Sequence, residues 1–216
     1  ARFTAATMFR CGYNATASTI VNISDGGVFK APYIDKYQAN NGAKAFVNFN
    51  GGTFATTTSD AYWVFGAGSS DCSPEVTVFR GGATVETPYE NYKPKIWKIS
   101  GPTGKGVAAV AMGTLGELTL VGSPRVSIEG DGRGASAYAE FDSLSGKVTG
   151  IKVTSPGCDY TFATASVHYG DTVLAEGLEV VLEDNVGGAF TKSGPGTLRL
   201  MATNTWYGAT VVKEGV

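Results

Sequence analysis

Three segments of the chain share one pattern of apolar and polar positions, at 19–31, 45–56 and 75–87. Each segment is a short alternating run, then a polar residue, a Gly-Gly pair and a second alternating run. Alternation with a period of two predicts β-strands. The Gly-Gly pairs begin at residues 26, 51 and 81, so the pattern recurs after 25 and then 30 residues. Recurrence at this length predicts a repeat architecture in which each repeat forms one coil.

The pattern allows two all-β architectures. In a parallel β-helix, or β-solenoid, equivalent short strands of successive coils stack into long parallel sheets. A Gly-Gly pair also suits the two-residue turn of a β-hairpin, and a row of hairpins would give an antiparallel β-sandwich. The turn-like segment 69–74 and the short, glycine-separated runs of 187–216 favour the solenoid.

A different unit is predicted in the second half of the chain. Runs at 124–128, 135–141 and 148–153 are typical of strands, and a glycine loop and a tight turn separate them. They predict an antiparallel hairpin module inserted into the solenoid. The predicted organisation is solenoid coils at 1–122 with an aromatic insert at 88–106, a β-meander module at 123–165, and further coils at 166–216.

Composition agrees with a fold that has many tight turns. Glycine supplies 30 of the 216 residues, about twice its usual share of roughly 7%. The net charge is −2 and no basic run is present, which argues against nucleic-acid binding. No apolar run reaches the roughly 20 residues that span a bilayer. The start at Ala1 and the stop within a strand pattern predict a processed piece of a longer chain.

The last thirty residues carry a dense motif. Its first half consists of Phe190, Thr191, Lys192, Gly194, Gly196, Thr197, Leu198 and Leu200, and its second half of Asn204, Thr205, Tyr207, Gly208, Thr210, Val212 and Gly215, with Trp206 as an additional aromatic. This pattern resembles the autotransporter-associated β-strand repeat of bacterial passenger domains. More weakly, 123–165 resembles a glycine-rich module of large bacterial surface and phage proteins.

The resemblance implies a right-handed parallel β-helix that is secreted or displayed at the bacterial outer membrane. In that family the repeat is structural and supports the export and stability of a stalk. It names no catalytic residue, so none is carried over to this chain.

Residues with catalytic or metal-binding chemistry are few. A carbohydrate-active enzyme on a β-helix would need two converging carboxylates; the candidates are Asp25, Asp35, Asp60, Asp71, Glu183 and Asp184. A strand pattern follows the G-x-G-x-G loop at 130–134, whereas a dinucleotide site needs a helix there. Asp131 alone supplies too few oxygens for calcium. His168 is interpreted as an incidental strand-end residue.

The three cysteines, Cys11, Cys72 and Cys158, lack C-x-x-C spacing and allow at most one internal disulfide. No catalytic residue, cofactor or metal site is predicted.

Seven aromatic residues lie in or near connecting segments and form the candidate ligand-binding set: Tyr33, Tyr37, Tyr62, Trp63, Tyr89, Tyr92 and Trp97. Exposed aromatic rings suit glycan stacking or protein adhesion, and the other interpretation is that they pad the core. The predicted function is a rigid adhesive stalk that presents loops to an extracellular glycan or surface protein. Two alternatives are a polysaccharide lyase or glycoside hydrolase, and a filament or phage-type subunit that self-associates through its end coils.

Overall fold

The computed structural model describes residues 1–5, 9–12, 16–36, 42–58, 63–66 and 72–216. Its contacts divide the chain into two compact units: unit 1 is Ala1–Pro102 with Val186–Val216, and unit 2 is Thr103–Asn185. The strands are β1 Arg2–Thr4, β2 Phe9–Cys11, β3 Ser18–Ser24, β4 Val28–Ala31, β5 Ile34–Lys36, β6 Lys44–Asn50, β7 Gly52–Thr56, β8 Trp63–Phe65, β9 Glu75–Val78, β10 Ala83–Glu86, β11 Lys95–Ile96, β12 Lys105–Val110, β13 Arg125–Gly130, β14 Ser136–Asp142, β15 Lys147–Ser155, β16 Ala163–Tyr169, β17 Thr172–Asp184, β18 Phe190–Ser193, β19 Arg199–Leu200 and β20 Thr210–Val212. One 3-10 turn lies at Leu115–Glu117.

Unit 1 is built from three parallel sheets. Sheet A has the order β1-β4-β7-β10-β18-β20, sheet B the order β19-β11-β8-β5-β2, and sheet C the order β3-β6-β9. Isolated parallel bridges from Thr77 to Ser100 and from Ser100 to Thr205 continue sheet C. Along the chain, successive strands join sheets A, B and C in rotation.

The strands on either side of each Gly-Gly pair lie in different sheets, C and A. Each of them pairs in parallel with the equivalent strand of another repeat, for example β3 with β6 and β4 with β7. The three Gly-Gly segments are therefore not the hairpins that an antiparallel sandwich would need.

The core of unit 1 consists of apolar side chains in columns. In sheet A, Phe29 is in register with Phe54, and Phe54 with Val85. The rings of Phe29 and Phe54 are stacked, with centroids 6.3 Å apart. Phe54 and Val85 are fully buried, and burying such a side chain stabilises the fold by about 1.5–3 kcal/mol. Regular in-register pairing thus turns the alternation of one repeat into a continuous core.

The corners between sheets C and A require glycine. Gly51 has φ +92°, a conformation that strains residues with a Cβ. A Cβ on Gly52 would lie 2.5 Å from the carbonyl carbon of Ile23. A fourth pair, Gly187 and Gly188, precedes β18, and a Cβ on Gly188 would lie 2.3 Å from the Phe79 oxygen. This fourth pair was not recognised in the sequence as part of the repeat, because residues 103–185 separate it from the third pair.

Unit 2 is antiparallel. A four-stranded sheet has the order β12-β17-β16-β13, and β14 and β15 form a separate hairpin. The three predicted strands are present as β13, β14 and β15, but β13 pairs with β16 rather than with β14, so the order is not that of a meander.

Unit 2 is longer than the predicted module at 123–165, because β12 and β17 pair with each other. The predicted aromatic insert at 88–106 is divided: 88–94 connects β10 to β11 in unit 1, and β12 begins at Lys105 in unit 2. Residues 166–185, predicted as coils, belong to antiparallel strands. Within the described residues, no helix is long and apolar enough to cross a membrane.

Candidate ligand-binding site

The described candidate aromatics gather where the chain passes from sheet A to sheet B. Tyr33 lies between β4 and β5, and Tyr89 and Tyr92 lie between β10 and β11. Trp63 is the first residue of β8, and Trp97 directly follows β11. Successive repeats therefore place aromatic side chains at one corner and on the adjoining sheet. Tyr37 and Tyr62 lie outside the described residues.

Tyr89 and Tyr92 form an edge-to-face pair with ring centroids 5.0 Å apart. They border an open groove of about 190 Å³, whose other lining residues are Lys30, Ala55, Thr56, Thr57 and Pro88. Tyr89 is 60% exposed. The hydroxyl of Tyr92 donates a hydrogen bond to the Thr57 carbonyl at 3.2 Å, which fixes that ring against the neighbouring repeat.

The segment that carries Tyr89 and Tyr92 is hydrogen-bonded to Gly196 and Thr197 of the C-terminal motif. The Thr197 amide donates to the Tyr92 carbonyl at 2.8 Å, and the Gly196 amide donates to the Thr87 carbonyl at 3.2 Å. A Cβ on Gly196 would lie 2.5 Å from the Tyr89 oxygen. The glycine of the C-terminal motif therefore allows the close approach that positions the two tyrosines.

A second aromatic cluster lies on sheet B. Trp63 and Trp97 pack edge to face with ring centroids 6.0 Å apart. The Lys95 Nζ lies 5.6 Å from the centroid of the Trp63 ring, within the range of a cation–π interaction. Lys95 is in register with Trp63 on one side and with Arg199 on the other. Strand pairing thus places Trp63 and Arg199, which are far apart in sequence, on either side of Lys95.

The acidic candidates do not form a catalytic pair among the described residues. Asp35 is committed to an ion pair with Arg10, whose Nη2 lies 3.0 Å from Oδ2. Asp25 is an exposed turn residue with φ +51°. Glu183 and Asp184 are neighbours at the end of β17 in unit 2, opposite Gly106 and Lys105, and adjacent strand residues point to opposite faces. Asp60 and Asp71 lie outside the described residues.

The glycine loop of unit 2 is closed by Asp131. Its carboxylate accepts hydrogen bonds from the Thr161 amide at 2.9 Å, the Phe162 amide at 3.1 Å and the Thr161 hydroxyl. These bonds, the hydroxyl bond first, lower the pKa of Asp131 to about 2. The carboxylate oxygens of Asp131 are therefore engaged in the hydrogen bonds that close this loop. Among the described residues, no group of three or more His, Cys, Asp or Glu side chains could hold a metal ion.

The other chemically notable groups are isolated. His168 Nε2 lies 3.0 Å from the Ser166 hydroxyl oxygen on the same strand of unit 2. Cys11, Cys72 and Cys158 are not joined by a disulfide bond. Burial, assisted by the charge of Asp35, raises the pKa of Cys11 to about 11, which keeps it an unreactive thiol near neutral pH.

Sequence reasoning selected the aromatic residues but missed the cations that accompany them. Lys30 lines the tyrosine groove, Lys95 lies beside Trp63, and Arg199 lies beside Lys95 on the next strand. The available signal was alignment of the repeats: equivalent positions of β8, β11 and β19 would have placed Trp63, Lys95 and Arg199 in one row. No family model matches the chain, and neither a curated protein nor a solved structure matches it.

Proposed function

We propose that unit 1 is a segment of a β-solenoid, namely a right-handed parallel β-helix. The rotation of consecutive strands through sheets A, B and C, all paired in parallel, supports this proposal. The right-handed sense is taken from the resemblance of 187–216 to the autotransporter-associated repeat. Such a stack has repeating faces rather than one central pocket.

The function that the geometry supports best is adhesion. The protein is a rigid stalk segment of a secreted or surface-displayed bacterial protein, and it presents the corner between sheets A and B to a glycan or surface protein. The observation that carries this proposal is the convergence of Tyr89, Tyr92, Trp63 and Trp97 on that corner and the adjoining sheet. Tyr89 is exposed and the other three rings are half-buried, and rings fixed in this way offer contact area at low entropic cost.

The outer face of sheet A favours the interpretation that unit 1 is part of a structural stalk. Thr53, Thr84 and Thr191 are in direct register on three adjacent strands, and the residues beside them in β7, β10 and β18 are buried. A row of threonines pairs well across strands and covers the core without a cleft. An enzyme would instead need converging carboxylates, which the described acids do not supply.

The dimensions of the groove favour a chain-like glycan. At about 190 Å³ the groove is smaller than the roughly 300–1,000 Å³ pockets that enclose small molecules. An open groove of this size accommodates one unit of a longer ligand while neighbouring units extend along the stack. Binding would then be spread over several repeats, as on other solenoid surfaces.

A glycan and polysaccharide array combined with a reducing-end assay tests this function. We expect binding without cleavage. The double variant Tyr89→Ala and Tyr92→Ala should lose about tenfold or more in affinity, because aromatic anchors dominate such contacts. Tyr138→Ala, an exposed tyrosine of unit 2, is the matched control and should bind normally. New reducing ends, or equal binding by the double variant, would contradict the proposal.

Self-association through end coils is a second candidate, supported by exposed edge strands. All three residues of β1 and of β20 are exposed, and these strands form the two edges of sheet A. Unpaired edges invite further strand pairing. A concentration-dependent increase in particle mass, measured by light scattering and lost on substituting Val211 with lysine, would support it.

A further inference from the structure

We propose that sheet B carries a binding site for an anionic polysaccharide, formed by Trp63, Lys95, Trp97 and Arg199. This inference rests on the proposed adhesive function and names its ligand class. The site is defined by strand register rather than by a cavity, and the tyrosine groove is not needed for it.

The four side chains share the outer face of sheet B. Lys95 pairs with Trp63 on one neighbouring strand and with Arg199 on the other, and neighbouring strands lie about 4.8 Å apart. Ile96, the next residue in β11, is fully buried. Alternation therefore turns Lys95 outward, and Trp97, two residues after Lys95, packs against Trp63.

Among the described residues, the two cations have no compensating acid. On the same sheet Arg10 is neutralised by Asp35, its in-register partner. In the described part of the chain, Lys95 and Arg199 form no ion pair with a carboxylate. Like charges directly opposite one another on adjacent strands destabilise a sheet, so an anion that bridges them is the natural complement.

The aromatic rings specify what carries that anion. The edge-to-face packing of Trp63 and Trp97 presents fixed apolar ring surface beside the Lys95 ammonium. An inorganic anion would use the cations alone, whereas a sugar bearing a carboxylate or sulfate uses both. The arginine guanidinium binds such groups through paired hydrogen bonds. Because the net charge of the chain is −2, general attraction of polyanions does not account for binding at this position.

Titration of the 216-residue chain with three polysaccharides tests the proposal. Polygalacturonate carries carboxylates, dextran sulfate carries sulfates, and dextran is neutral. We expect one or both polyanions to bind and dextran to bind at least about tenfold more weakly, with affinity falling as salt rises. Comparison of the two polyanions identifies the anionic group.

Variants locate the site. The double variant Lys95→Gln and Arg199→Gln should reduce polyanion affinity about tenfold or more, because it removes two charge-assisted contacts. The matched control is Lys152→Gln with Arg125→Gln, which removes the same two residue types from exposed positions of unit 2. Trp63→Leu should weaken binding while leaving the salt dependence unchanged.

Each other outcome overturns the inference in a recognisable way. Equal losses in the control variant would show attraction by overall charge. Dextran binding as tightly as the polyanions, with no effect of the Lys95 and Arg199 substitutions, would refute the anionic site and leave glycan adhesion standing. Absence of binding to every polysaccharide, on the array as well, would refute both.

Discussion

In unit 1 the large buried side chains stand one above another, whereas in unit 2 they alternate along antiparallel strands. Phe54 and Val85 belong to one core cluster that extends through the successive strands of sheets A, B and C. Unit 2 has two smaller clusters, around Tyr160 and around Leu115, in which half-buried apolar residues outnumber buried ones. Parallel sheets repeat similar contacts from strand to strand, while the antiparallel unit makes each contact once.

The two units also use polar groups differently. In unit 1 the corners rely on glycine and on buried threonines such as Thr56, whose hydroxyl donates to the Pro32 carbonyl at 3.2 Å. In unit 2, charged groups close the loop ends: Asp131 binds Thr161, and Arg133 pairs with Asp159. Unit 1 is therefore expected to be sensitive to volume and backbone space, and unit 2 to acid.

The largest expected effect comes from removing one aromatic ring from the buried row of Phe29, Phe54 and Val85 in sheet A. Phe54→Ala should lower the free energy of unfolding of unit 1 by about 3–5 kcal/mol, because the ring is fully buried and contacts Phe29 and Phe65. All three tryptophans, Trp63, Trp97 and Trp206, lie in unit 1. Urea unfolding followed by tryptophan fluorescence therefore reports this unit.

Val167→Ala is the control for that measurement. Val167 is equally inaccessible but belongs to unit 2, so we expect a smaller effect on the tryptophan transition. A loss below about 1 kcal/mol in Phe54→Ala would contradict the stacked core, because even a partly relaxed cavity costs more than that.

A smaller effect is expected at the corners between sheets C and A. Gly52→Ala should destabilise unit 1 toward the upper end of about 1–3 kcal/mol, because its Cβ would meet the Ile23 backbone, which cannot rotate away. In Gly26→Ala the new Cβ would meet no atom within 4 Å, so the only cost is the backbone strain of φ +71°. That strain should destabilise unit 1 by about 1 kcal/mol. The same fluorescence measurement compares them, and a larger loss in Gly26→Ala would reverse the interpretation.

Sequence reasoning reached the repeats because their signal is local. The glycines at 51 and 52 and the alternation around Phe49 follow from residue type and spacing alone, and they mark the corner and the core of the fold. The aromatic candidates were likewise found by residue type. The strand-pairing partners were not predicted. Arg199 lies beside Lys95 only in the folded sheet. Because unit 2 is inserted between these two residues in sequence, their spacing along the chain does not show that they pair.

Lys192 shows the limit of alternation most clearly. It fits the C-terminal motif, yet it stands in register with Val85 in the inward-facing column and is 3% exposed. Its ammonium donates to the carbonyls of Gly194 and Glu214, and desolvation lowers its pKa. A lysine in a strand is ordinarily expected to face solvent. The inward position is stable here because the backbone carbonyls of Gly194 and Glu214 accept hydrogen bonds from the ammonium.

The smallest expected effect is a change in the acid sensitivity of unit 2. The pKa of Asp131 is about 2 in the folded protein and about 3.9 in an unfolded chain. The unfolded state therefore binds more protons in this window, and the stabilisation from Asp131 is complete above about pH 4 and is lost as the pH falls toward 2. Asp131→Asn should remove that part of the acid sensitivity of unit 2.

The readout is labelling of the buried Cys158 in unit 2 by a pyridyl disulfide, located by peptide mass spectrometry. Asp142 and Asp159, whose pKa values hydrogen bonds also lower, titrate in both proteins, so the difference between wild type and variant isolates Asp131. Asp171→Asn, on the turn between β16 and β17, is the control and should follow wild type. Identical acid profiles for wild type and Asp131→Asn would show that closure of this loop adds no stability to unit 2.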